Sequence, residues 1–280
     1  MLKSLALPLM KHAARGYVAG DTIEDATNLV QRLSDNGYHA TVCYWHESGA
    51  PPEDVAAVYR RMIDHYAATE FDVRLSVKIP GLWERKDLFG AVVKSAETAG
   101  VDLDIDSHAP AQSDDTFSLC EGQPASVLGV CIPGRWVRSL ADAEKAIERG
   151  MRVRVVKGSW EDPDHPDRDK TAGFLEVIDT LAGRCRHVGV ATHDPELADE
   201  ALGRLTKAGT PCEHELLFGL PMRPAIEAGW RTNTPTRIYV PFGEAWFPYS
   251  LSRAAKDPKL IYRFARDFLR HRDDGVPARP

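Results

Sequence analysis

No stretch of eighteen consecutive apolar residues occurs in the 280-residue chain, so a transmembrane helix is not expected. Positive charge is also short: 35 Lys and Arg stand against 41 Asp and Glu, a formal net charge of −6. That balance lacks the basic footprint of a nucleic-acid binder, and no polybasic run is present for stable membrane attachment. Cysteine is scarce and odd in number, with five residues and no C-x-x-C pair. Neither a disulfide framework nor a zinc knuckle is expected, and a reducing cytoplasm is the simplest compartment. The opening MLKSLALPLMKHAARGY has one lysine before a short apolar stretch, as a secretion signal would. Pro8 and Lys11 interrupt that stretch and no clear cleavage site follows, so residues 1–37 are read as an N-terminal helical lead-in.

What is present is a regular alternation. Eight β-rich runs occur: HATVCYW (39–45), DVRLSVKI (72–79), VDLDID (101–106), SVLGVCI (126–132), RVRVVKG (152–158), HVGVAT (187–192), CEHELLF (212–218) and RIYVPF (237–242). Between them lie segments with helical periodicity, such as PEDVAAVYRRMIDHYAA, LFGAVVKSAETAG, LADAEKAIERG and PELADEALGRLTKAG. Three of these end in glycine, a natural helix stop, and two begin with proline, which suits a first helical turn. Strict β-α alternation predicts a parallel sheet with helices outside, and eight units predict closure into a (β/α)8 TIM-type barrel. The alternative, a doubly wound open sheet, calls for a glycine-rich phosphate turn after the first strand. HESGAPPED stands there instead. One domain over 1–280 is expected, with the barrel at about 38–272 and a frayed RDDGVPARP tail.

Barrel chemistry sits at the C-terminal strand ends. The polar residues to weigh there are Lys78, Asp104, Asp106, Arg154, Lys157, Thr192, His193, Glu213, Glu215 and Tyr239. Lys78 lies inside an apolar strand, where an ammonium is costly unless paired. It is either half of an ion pair across the barrel mouth, with Asp106 as the natural partner, or a ligand-facing cation. Arg154 and Lys157, three apart on one strand, point to opposite faces. Arg154 is the inward residue; Lys157 either reaches the rim or is a solvated exit charge. Glu213 and Glu215 share a face, with His214 on the other, a weak pattern for a metal site, and no metal is expected. His193 is equally a hydrogen-bonded strand-end residue or a catalyst. Tyr249 and Arg253, four apart on a helical segment, share a face. They form either a grip on an amino-acid carboxylate or a surface cation packed on a tyrosine.

In their order, VRVVKGSW, VATH, CEHELLFG and RIYVPFGEAWFPYSLSR are similar to the signature strands and final helix of the proline dehydrogenases, and LSVKIP and LDIDS match earlier strands. The resemblance covers about residues 38–265. It implies a distorted (β/α)8 barrel binding FAD noncovalently and passing a hydride from the proline ring to flavin N5. The product would be Δ1-pyrroline-5-carboxylate, and the electrons would go on to a quinone at a membrane surface. Position by position, Lys78, Asp106, Leu217, Tyr239, Tyr249 and Arg253 match the substrate site, and Arg154, Lys157, Thr192 and His193 the flavin site. The implied partners are a cyclic imino acid and a quinone met through a transient contact, in a protein that is cytoplasmic or peripheral at the inner membrane face.

The same alignment exposes departures. Ser252 stands where the family's Y-x-x-R-R has its first arginine, a loss of about 1.5–3 kcal/mol if a charge-assisted bond to carboxylate goes with it. Pro133 replaces a flavin-contacting glutamine and has no side-chain donor. A-T-H-N becomes ATHD, ending in Asp194, and E-F-Q becomes Glu213-His214-Glu215, which is expected to add negative charge near the pocket mouth. A modified proline as substrate is therefore weighed beside free proline. Two other functions compete with the oxidoreductase: a flavin-free lyase or aldolase using Lys78 or Lys157 as a Schiff-base amine, and a non-catalytic barrel. The sequence leaves the electron acceptor and oligomeric state open.

Overall fold

The computed structural model describes residues 18–243, apart from 48, 108 and 221. Tyr249, Ser252, Arg253, the first seventeen residues and the tail lie outside the described residues. A lead-in helix α1 (Ile23–Asp35) opens the fold. Eight strands follow, β1 (His39–Tyr44), β2 (Val73–Lys78), β3 (Asp102–Asp106), β4 (Leu128–Pro133), β5 (Arg152–Val156), β6 (Val188–Ala191), β7 (Cys212–Leu217) and β8 (Thr236–Phe242). Between them run the helices α2 (Pro52–Ala67), α3 (Lys86–Ala99), α4 (Gln112–Leu119), α5 (Ser139–Glu148), α6 (Lys170–Leu181), α7 (Pro195–Lys207) and α8 (Arg223–Arg231). Every strand pairs parallel with its sequence neighbour, and β8 closes on β1. Each of the eight runs singled out in the sequence is a strand, within two residues at either end.

The helix ends obey the local signals. Thr22 caps α1 by accepting from the Asp25 N–H while Asp25 accepts from the Thr22 backbone, a reciprocal capping box. Proline opens α2 and α7, and Gly100 closes α3 in the left-handed region at φ 70°.

The two faces of the strands have opposite chemistry. Residues such as Val42, Leu75, Val77, Leu103, Ile105, Val153, Val155, Ile238 and Val240 point outward and pack fully buried beneath the helices. Alternate positions point into the barrel, and there the strands carry Arg74, Ser76, Lys78, Asp102, Asp104, Asp106, Arg152, Arg154, Glu213, Glu215, Arg237 and Tyr239. Barrel interiors are usually filled by branched apolar side chains. Here the filling is ionic, and such an interior stands only if its charges pair. At the N-terminal end Arg237 is 1% exposed, donating to Glu213 at 2.9 Å, the Ala40 carbonyl at 2.7 Å and Asp72 at 2.7 Å. Arg74 also bonds Glu213, and Arg152 pairs with Asp102 at 2.7 Å. These pairs close the barrel floor and leave the other end for the site.

Candidate active site

At the C-terminal end, Lys78 and Asp106 are register partners on β2 and β3. The Lys78 Nζ is 3.4 Å from Asp106 Oδ2 and 3.3 Å from the Tyr239 hydroxyl. Ser76, two residues back on the same face of β2, donates to Asp106 Oδ2 at 2.6 Å and lies 2.9 Å from the Tyr239 hydroxyl. Tyr239 donates to the same carboxylate oxygen at 3.0 Å. On the other side Arg154 bonds Asp106 Oδ1, its guanidinium carbon 4.9 Å from the centre of the Tyr239 ring. Lys78 lies 5.3 Å from the centre of the Trp45 ring. Asp106 is thus the hub on which Lys78, Arg154, Ser76 and Tyr239 converge. Of the two openings for Lys78, the ion pair with Asp106 is the geometry observed.

The electrostatics follow from burial and partners. Burial alone pushes the Asp106 carboxyl up, but Arg154 and Lys78, helped by the Ser76 and Tyr239 hydroxyls, hold it well below the usual carboxylate range. It is a permanent anion at physiological pH. Burial and the neighbouring Asp106 charge drive the Tyr239 phenol well above its ordinary value, so it stays a donor.

Around this cluster, just beyond the β5 and β6 ends, lie Lys157, Thr192 and His193. Lys157 pairs with Asp194 at 2.8 Å. Asp194 in turn caps α7 by accepting from the Leu197 N–H, so the Asn-to-Asp departure keeps a cap and adds an ion pair. Thr192 Oγ1 accepts from the Asp194 N–H at 3.2 Å. His193 Nε2 accepts from the Leu217 N–H at 2.9 Å, tying β6 to the end of β7. Leu217 is 37% exposed, and with Trp83, Val137 and Trp160 it supplies exposed apolar surface on this face of the barrel.

Two expectations need correction. Glu213 and Glu215 do not charge the pocket mouth: they are 2% and 3% exposed inside the barrel. Glu213 belongs to the floor, where Arg237 and Arg74 overcome the upward push of burial and hold it well below its ordinary range. The alternation placed the two glutamates on one face, but β7 begins at Cys212, so Glu213 lies at the wrong end for the site. Asp104 and Arg152 likewise meet below it, at 3.5 Å. His214 faces outward as expected, donating from Nε2 to the Thr192 carbonyl at 2.9 Å.

Ser76 and Trp45 were missed by the sequence reading. The alternation Arg74-Ser76-Lys78 was enough to place Ser76 inside. Trp45 follows β1 and carries no comparable signal.

No family model matches the chain. Among curated proteins, proline dehydrogenase 1 of Bacillus subtilis subsp. natto is 29% identical over 269 residues, covering 88% of this chain and 87% of the relative. Proline dehydrogenase 1 of Bacillus subtilis strain 168 is 28% identical over the same span and shares. The proline dehydrogenase of Deinococcus radiodurans is 24% identical over 284 residues, covering 92% of this chain and 90% of its own. In fold, the chain superposes on proline utilization A (PutA) from Bdellovibrio bacteriovorus with a TM-score of 0.74 at 18% identity, over 92% of this chain and 33% of that one. The PutA from Corynebacterium freiburgense gives 0.67 at 14% identity, over 99% and 35%. This chain therefore spans about a third of the PutA proteins and most of the curated relatives. In sequence the chain is similar to the proline dehydrogenases, and its fold is a closed (β/α)8 barrel like that of the PutA structures.

Proposed function

We propose that the protein is a flavin-dependent oxidoreductase that converts L-proline, or a closely related cyclic imino acid, to Δ1-pyrroline-5-carboxylate. The observation that carries the reading is the Lys78–Asp106–Arg154–Tyr239 cluster at the C-terminal end of a proline dehydrogenase-like barrel. The residues fit FAD. Arg154 is buried, yet among the described residues its Nε and Nη1 have no hydrogen-bond partner. Buried guanidinium N–H groups without acceptors suit an electron-rich ring that gains negative charge. Arg154, Lys157, Thr192 and His193 would hold the cofactor on the β5 and β6 side. When bound, FAD would supply the hydride acceptor.

The remaining chemistry belongs to the side chains. Loss of a hydride from the ring carbon beside nitrogen needs the nitrogen lone pair, so the substrate ammonium must first give up a proton. Asp106 is too firmly ionised to be a good base for that proton. Its role is to hold Lys78, Arg154 and Tyr239 in one arrangement, and solvent takes the proton. Tyr239 and Leu217 give the ring apolar contact, and Arg253, with Tyr249, grips the carboxylate. Ser252 removes one guanidinium from that grip, which favours a substrate whose carboxylate is masked or less tightly held. Electrons then leave to a quinone met transiently, in a cytoplasmic protein. Among the described residues no helix is long and apolar enough to cross a membrane. The Schiff-base reading is weaker, because Lys78 is engaged by Asp106 and Lys157 by Asp194, and an ammonium has no lone pair for attack.

Titrating the protein with FAD while trapping the product with o-aminobenzaldehyde tests the reading. Saturable flavin binding with formation of a proline-derived imine supports it; absence of flavin binding sinks it. Parallel assays with prolinamide separate the substrates, and a strong preference for free proline removes the modified-substrate version.

A further inference from the structure

One interior carboxyl takes no part in the cluster described above. Glu215, 3% exposed, places Oε2 at 3.9 Å from Arg154 Nη1, beyond hydrogen-bond distance. Room for it is made by Gly189 on the adjacent strand β6: a Cβ there would overlap Glu215 Oε1. Arg154 therefore lies between two carboxylates. Asp106 takes its Nη2, while Nη1 and Nε are without a partner among the described residues.

We propose that Glu215 is a positioning residue that takes up and releases one proton, and that its charge decides how Arg154 is shared between Glu215 and Asp106. With Glu215 neutral, Asp106 is, among the described residues, the one anion bonded to the guanidinium, which stays against the Tyr239 ring. With Glu215 ionised, the unpartnered Nη1 gains a charge-assisted acceptor, and the guanidinium is drawn toward Glu215, loosening its hold on Asp106. The step is a bare ionisation: the O–H bond breaks, its electron pair stays on the carboxylate, and the proton goes to solvent.

The surroundings place this change at a useful pH. Burial pushes the carboxyl up to about 7, against the pull of Arg154. Glu213 on the same strand and Asp104 of β3 act in the same direction as burial, and Arg74 of β2, like Arg154, opposes it. Strand β6 offers only Gly189 and Ala191 inside. The β8 register partner Arg237 is already bonded to Glu213 and Asp72. For its effect on a bound flavin the inference rests on the function proposed above; for the proton itself it does not.

Infrared difference spectroscopy of the full chain during a pH titration tests it, with the wild type beside Glu215→Gln. The wild type should lose one protonated-carboxyl C=O band between about pH 6 and 8, and Glu215→Gln should show no such loss. Carbon-13 labelling of glutamate in the wild type should shift the band, an assignment that needs no variant. A band that is absent, unshifted by the label, or still present in Glu215→Gln overturns the proposal. In a second arm, KM for proline should carry an ionisation in that range that Glu215→Gln lacks, while kcat changes less. Superimposable pH profiles contradict the coupling to Arg154. A protein that fails to oxidise proline still gives the infrared result, so the two readings fail separately.

Discussion

Asp106 and Lys78 face each other across the β2–β3 ladder, 3.4 Å apart, and the carboxylate of Asp106 serves Arg154 on its other oxygen. One anion therefore compensates two cations, Arg154 buried and Lys78 half-buried. Asp106→Asn would leave both short of charge, at a cost of about 3–5 kcal/mol in stability, because breaking a buried pair strands its partner. The same variant should lower kcat/KM for proline by at least about a hundredfold, since Arg154 and Tyr239 lose their common anchor. Urea unfolding and steady-state kinetics measure the two effects, and a change under about twofold in kcat/KM removes Asp106 from the account.

The two interior carboxyls on either side of Arg154 should respond to pH with opposite signs. Asp106 titrates lower in the folded protein than in the unfolded one, so its contribution is present above about pH 4 and is lost as pH falls further. Glu215 titrates higher, at about 7 against an ordinary 4.5. The folded state then holds the extra proton, and stability declines as pH rises from the lower value through the higher one. Above neutrality Glu215→Gln should be more stable than the wild type by on the order of 1–3 kcal/mol, with the gap closing toward about pH 5. Denaturation midpoints across that range check it; a constant gap contradicts the assignment.

Much of this was legible in the strands themselves. VRLSVK, DLDID and RVRVV alternate apolar and polar residues, and that period fixed which side chains enter the barrel, including Lys78, Asp106 and Arg154. Depth along the axis was not legible, because alternation fixes the face of a residue and not its distance from the strand end. Glu213 and Glu215 look alike in CEHELL, yet one closes the floor and the other reaches Arg154. The sharing of Asp106 by two cations, and the space Gly189 leaves for Glu215, depend on barrel closure and on contacts between strands far apart in sequence.

The floor and the site should separate on mutation. Glu213→Gln leaves Arg237 and Arg74 without their common counter-ion, and a loss of about 3–5 kcal/mol is expected. Proline affinity of the folded protein should change little, because Glu213 makes none of the contacts of the Asp106 cluster. Calorimetry and KM report these independently.

Gly189 should be tied to Glu215 in a double-mutant cycle. Gly189→Ala places a methyl group against the Glu215 carboxyl, and about 1–3 kcal/mol of destabilisation is expected. Combined with Glu215→Ala, most of that cost should disappear, giving a coupling energy of at least about 1 kcal/mol. Additive effects would show that the glycine answers to another constraint.

Hydride transfer from proline to a bound flavin, as proposed above, is read directly by the anaerobic visible spectrum of the FAD-loaded protein. Addition of L-proline should bleach the band near about 450 nm that oxidised flavin gives, with an imine formed in equal amount. A spectrum unchanged by proline, and unchanged by its amide or ring-substituted relatives, would contradict the account.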